Sequence, residues 1–183
     1  MTAPEPDPAA AAPVDSTGVD PSAVDPGRFR LAMGRFATGV TVVTTRAGEH
    51  DHAMTANSLA SVSLDPLLVL VCVENDSRFF DAVIDTGAWG VSVLPRRARP
   101  AAAWLATSGR PLHGQLDRIP HHRGGVTGVA LLDDALATLE CRTRQVVPAG
   151  DHHVLIADVV SIDLSEHADP ALLYFRGRYR TLD

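Results

Sequence analysis

Residues 67–73 read Leu-Leu-Val-Leu-Val-Cys-Val, an unbroken apolar run bounded by Asp65-Pro66 on one side and Asn75-Asp76 on the other. A run of this length, rich in β-branched side chains and closed by turn residues, is a strand buried in a sheet. It has company. Val40 to Thr45 is β-branched throughout, and Trp89 to Leu94, Ala135 to Val146, Val154 to Leu164 and Leu172 to Arg180 carry the same signature. Ala53 to Ser58 reads as a return strand after a polar turn over 46–52. Helical spacing is rarer. Asp25-Pro26 looks like an N-cap and first helical position, with Phe29, Ala32, Met33 and Phe36 on one face and Gly39 as the stop. Ser77 caps a short helix carrying Phe79, Phe80, Val83 and Ile84, and Pro100 to Thr107 is Ala-rich and helical. The stretch 109–128, rich in Gly, Pro and His, is expected as a long loop. Many strands with few helices between them favour a mainly β barrel over a doubly wound parallel sheet. No Gly-x-Gly-x-x-Gly follows a strand, so a dinucleotide-binding fold is not supported.

Composition sets the remaining bounds. The 183 residues divide into an N-terminal tail, 1–25, of Ala, Pro, Asp and Ser without periodicity, expected to be disordered, and one domain over 26–183. Net charge is -6 and the basic residues are scattered, so nucleic acid is not an expected partner. All 16 basic residues are Arg. That excludes a P-loop lysine and a Schiff-base lysine. Cys72 and Cys141 lie far apart in strand-like sequence and read as reduced core thiols. The N-terminus lacks a basic start followed by an apolar stretch, and no apolar run is long enough to span a bilayer, so no membrane association and a cytoplasmic location are expected. Three close histidine pairs, His50/His52, His121/His122 and His152/His153, sit in loop-like sequence without Cys or paired carboxylates, so no metal site is expected.

The stretch before the first strand considered, Met54-Thr55-Ala56-Asn57-Ser58-Leu59-Ala60-Ser61-Val62-Ser63-Leu64, holds small side chains, hydroxyls and one amide without a charge. Small residues let a flat ring approach the backbone, and Ser, Thr and Asn offer donors and acceptors to its edge. On composition alone an ordinary Ser/Thr-rich strand and turn is the preferred reading. The wording of the segment changes this. Together with Phe36-Ala37-Thr38-Gly39-Val40-Thr41-Val42-Val43-Thr44, Gly150-Asp151-His152 and Leu172-Leu173-Tyr174-Phe175-Arg176-Gly177-Arg178-Tyr179, in that order, it resembles the flavin reductase family, the FMN-binding split-barrel reductases that serve flavin-dependent monooxygenases. The likeness spans about residues 28–182.

That resemblance implies an FMN-binding split β-barrel with a few flanking helices. It implies an NAD(P)H-dependent reductase of FMN, with FAD possible, and NADH or NADPH as co-substrate. The flavin ring would lie against Met54, Thr55, Ala56, Asn57 and Ser58, with Thr38 and Val40 as further wall. Asn75 and Ser77 would form the phosphate-side turn. Free N–H groups at a helix starting near Ser77 suit an anion on physical grounds as well. His152 would face the nicotinamide, although on its residues alone it is a solvated turn histidine, and β alternation sends His153 to the opposite face, where no role is expected. Arg178 or Tyr179 would approach the cofactor, the alternative being an exposed edge strand. A homodimer with flavin sites near the subunit boundary is implied, and a monooxygenase partner reached through a complex or through diffusing reduced flavin. The alternative function is a non-catalytic flavin carrier on the same scaffold.

Overall fold

The computed structural model describes residues 23–111, 113–166 and 169–181. The expected tail therefore lies almost wholly outside the described residues. The chain opens with α1 (Pro26–Met33), β1 (Thr38–Gly39), β2 (Thr41–Ala47), β3 (His50–Ala56), β4 (Ala60–Leu64) and β5 (Leu67–Glu74). There follow α2 (Arg78–Thr86), β6 (Ala88–Val93), α3 (Arg99–Leu105), β7 (His121–Arg123), β8 (Ala130–Leu132), β9 (Ala137–Ala149), β10 (His152–Leu164), β11 (Leu172–Phe175) and β12 (Arg178–Thr181). A seven-stranded sheet runs in the order β3-β2-β6-β9-β10-β5-β4, with every neighbouring pair antiparallel. A three-stranded sheet, β1-β11-β12, and the β7-β8 pair complete it. The architecture is mainly β with few helices, as the strand-rich sequence implies. Among the described residues no hydrogen-bonded ladder joins the outer strands β3 and β4, so the large sheet stays open.

Several element boundaries differ from the sequence reading for identifiable reasons. The Asp25 carboxylate does cap α1, accepting from Arg28 N at 2.8 Å. The helix stops at Met33, however, with Gly34 as its cap. Thr38 and Gly39 are needed in the ladder opposite Tyr174 and Leu173, and strand pairing overrides the helical spacing of Phe36. The polar turn expected over 46–52 shrinks to Gly48-Glu49, because β2 and β3 stay paired out to Ala47 and His50. The closing strand is a hairpin: Arg176 and Gly177, at φ 50 and 71, reverse the chain between β11 and β12. The expected long loop contains β7, which pairs with β8.

The core has two parts because β2 is buried on both faces. Val43 joins Val69, Val71, Val73, Phe79, Val83, Trp89, Cys141 and Leu155 on the side covered by α2. Val40 and Val42 join Ala53, Leu94, Ala102, Leu105, Leu132 and Leu172 on the side covered by α3 and β8. β5 is less buried than its apolar sequence suggests. Val69, Val71 and Val73 are buried, while Leu68, Leu70 and Cys72 on the alternate face are only half-buried. The half-open face of β5 is what leaves room for a site. Among the described residues no helix is long and apolar enough to cross a membrane.

Candidate functional site

A cleft of about 520 Å³ opens beside β3, within the size range of pockets that hold small molecules and cofactors. One wall is the β3 strand and its exit, His52 through Ser58. Cys72 and Glu74 of β5, Asp76, the start of α2 at Ser77–Phe79, the chain from Leu105 to Arg110 with Gln115, and His152 complete the lining.

The wall is made rigid by its own polar groups. Thr55 Oγ1 donates to Ala102 O of α3 at 2.7 Å. Ser58 Oγ accepts from Cys72 N and donates to Cys72 O, both at 3.1 Å, stitching the exit of β3 to β5. Thr41 Oγ1 donates to Ala56 O at 2.8 Å. These hydroxyls face inward and fix the strand, so a ligand meets small side chains and backbone. Asn57 is more open: its Nδ2 donates to Thr38 Oγ1 at 3.2 Å, and its Oδ1 has no described donor.

The other end of the cleft carries the helix start at Ser77 that the sequence indicated for an anion, together with basic residues that no sequence motif named. Arg78 at the start of α2 donates to Arg110 O at 2.7 Å. Arg110 in turn donates to Ala53 O of β3 at 2.9 Å and to Thr107 O. His52 lies beside them on β3. Burial and then the positive charge of Arg78 hold His52 below its usual imidazole value, and the same two causes lower Arg110. His52 Nδ1 and Arg110 Nε are buried polar atoms with no described partner. Of these two, the Arg110 Nε–H is a donor whichever tautomer His52 adopts. Ser77 closes the corner. Its Oγ accepts from Phe80 N at 3.1 Å as the N-cap of α2, whose N-terminus adds positive potential. Arg78, Arg110 and the N-terminus of α2 give this corner donors of the kind a phosphate takes, with the Asp76 carboxylate also in the lining. Among the described residues no cluster of metal-ligating side chains occurs.

Of the residues singled out in the sequence, the cleft gathers Met54, Thr55, Ala56, Asn57, Ser58, Ser77 and His152. Thr38 reaches it through Asn57. Val40 is 1% exposed in the second core cluster and supports the wall from behind. Arg178 and Tyr179 lie outside the lining: Tyr179 meets Tyr174 edge-on at 5.7 Å, with the Arg99 guanidinium above it. Asn75 also lies outside the lining, engaged with the β9–β10 turn. His153 does point away from His152, but it is not idle. Its ring stacks on Phe80 and bonds Asn75.

A family model described as a flavin reductase like domain matches residues 33–183. The chain is 40% identical over 163 residues to the NADH-dependent FMN reductase AsuE2 of Streptomyces nodosus subsp. asukaensis, covering 86% of each. It is 37% identical over 154 residues to the reductase component of 4-hydroxyphenylacetate 3-monooxygenase from Thermus thermophilus, covering 84% of this chain and 95% of that protein. The crystal structure of BorF, the flavin reductase component of a bacterial two-component tryptophan halogenase, superposes with a TM-score of 0.81 at 41% identity, covering 86% of this chain and 98% of the other.

Proposed function

This chain belongs to the flavin reductase-like family, and from that premise we propose how its cleft performs the reaction. The protein is an NAD(P)H:flavin oxidoreductase. When bound, the flavin accepts a hydride from the reduced nicotinamide and carries it away as reduced flavin. The protein's part is to bind, orient and exclude water.

On our reading the flavin ring lies along Met54–Ser58, whose small side chains admit it and whose Asn57 amide meets its edge. The flavin's phosphate end sits in the corner of His52, Ser77, Arg78 and Arg110. His152, across the cleft, faces the incoming nicotinamide. Its Nδ1–H donates to the Asp151 carboxylate at 2.8 Å, and this bond, followed by the charge interaction with His152, holds the Asp151 carboxyl below its usual range. The observation that carries this reading is one cleft with a small-residue wall at one end and Arg78, Arg110 and the N-terminus of α2 at the other.

The reduced flavin goes to a monooxygenase partner, in a complex or by diffusion, in a cytoplasm that supplies the nicotinamide. The working form is a homodimer. Phe29, Leu31, Met33 and Phe36 around α1 are exposed, as are Leu64 at 84% and Leu164 at 70% with Val62, Leu67 and Ile162 at one end of the large sheet. Apolar surface on this scale is normally covered, and a second copy covers it symmetrically. The deciding experiment follows NADH absorbance under anaerobic conditions with and without FMN. Oxidation that requires FMN supports the reductase. Tight FMN binding with no oxidation would leave only a carrier.

A further inference from the structure

The turn that carries His152 is unusually well held. β9 ends at Ala149 and β10 begins at His152, so Gly150 and Asp151 alone reverse the chain. Gly150 has φ +68, the sign that a two-residue primed hairpin turn demands at its first position. Hairpin tips normally open easily, because few contacts reach them. This one is gripped from outside by Asn75, the residue after β5. The Asn75 N–H donates to Asp151 O at 3.1 Å. Its Nδ2 donates to Gly150 O at 3.2 Å. Its Oδ1 is bonded to His153 Nδ1 at 2.8 Å. Since Nδ2 faces a carbonyl, the amide orientation is settled, and His153 must carry its proton on Nδ1. The His153 ring then lies on Phe80 of α2, with centroids 4.3 Å apart and planes 17° from parallel. Successive residues of a strand face opposite ways. The side of the hairpin that carries His153 is therefore locked to β5 and α2, while the side that carries His152 lines the cleft.

We infer that Asn75 and His153 are positioning residues that clamp the Gly150–Asp151 turn and so hold His152 where the reduced nicotinamide docks. The inference rests on the reading of His152 given above. Neither clamp residue lines the cleft. Asn75 has its side-chain amide committed to the turn, which removes it from the phosphate end of the cleft. Phe80 ties the same clamp to α2, so the helix that starts at the phosphate corner and the turn that meets the nicotinamide share one support.

The test uses the full chain, FMN and NADH in anaerobic stopped-flow, with FMN Kd and Tm measured on the same samples. Asn75→Ala and His153→Ala should each raise the KM for NADH about 5- to 50-fold while FMN Kd stays within about 3-fold. His153→Phe keeps the stack without the bond and should fall between wild type and His153→Ala. His153→Gln restores a donor and should recover part of the loss. A weakened FMN Kd in Asn75→Ala with an unchanged KM for NADH would make Asn75 a flavin ligand and overturn the inference. A lowered Tm with no change in the KM for NADH would reduce the clamp to ordinary stability and overturn it too. His152→Ala, run in parallel, separates the two levels. If it raises the KM for NADH and the clamp variants do not, only this inference fails. If it changes nothing, the role of His152 fails first.

Discussion

Glu140 shows how one residue can organise a loop. It sits in β9, 3% exposed, and accepts from Val126 N at 3.1 Å, Thr127 N at 2.6 Å and Thr127 Oγ1 at 2.6 Å. Burial alone would raise its carboxyl, but these donors and the Gly125 N–H outweigh that and hold it below the usual value. Gly124 is required beside it, since a Cβ there would come within 2.4 Å of the carboxylate. A depressed folded-state value means stability that is present above the unfolded carboxylate range and is lost as pH falls through the folded value. Glu140→Gln should lower stability by about 1–3 kcal/mol near neutral pH, and the gap to wild type should close in acid. Thermal melts across that range check it; a gap constant with pH would mean that the charge is not what holds the loop. Asn57 belongs to the same scale. Asn57→Leu removes the one open amide of the ring wall, and FMN affinity should fall roughly 5- to 150-fold for a lost bond of about 1–3 kcal/mol. An unchanged Kd by fluorescence titration would remove the ring from this segment.

At the level of elements, β6 and β8 meet with no room to spare. β8 is held on the sheet by Thr44 Oγ1, which donates to Ala130 O at 2.5 Å, and by Ser92 Oγ, which accepts from Leu132 N at 3.0 Å. Gly90 of β6 lies beneath, and a Cβ there would stand 2.8 Å from Leu131 Cδ2, Thr44 Oγ1 and Val129 Cγ2. Gly90→Ala should therefore cost about 1–3 kcal/mol through overpacking, read as a lower midpoint in urea. A neutral result would show that β8 moves aside freely. Elements were the most legible part of the sequence. The Asp25 and Ser77 caps, the β2, β5 and β6 strands and the Gly150 turn follow from local chemistry. What failed was extent: α1 ends early and the 46–52 turn shrinks because ladder partners decide where a strand begins.

For the whole molecule, the exposed apolar residues of α1 and of the β4–β5 and β10 ends are the surface on which the proposed homodimer is tested. Light scattering at micromolar concentration should give twice the chain mass. A fully active monomer would contradict the dimer. Substituting charges for two of the most exposed of these, Leu64→Glu with Leu164→Glu, should shift the protein toward monomer; unchanged mass would place the interface elsewhere.

The sequence by itself determined the class of fold and one wall of the site. Strand periodicity, caps and turn glycines act over a few residues, and the Met54–Ser58 wall is contiguous in the chain. Tertiary structure alone brought the basic side chains to the corner at the Ser77 helix start. His52, Arg78 and Arg110 come from β3, the start of α2 and the chain after α3, and nothing in any one segment specifies the other two. The clamp on His152 is likewise non-local, since Asn75 and His153 are 78 positions apart. Register in an antiparallel sheet puts distant residues side by side, and it is set by the burial of both faces of β2 and one face of β5, which no single stretch of sequence contains.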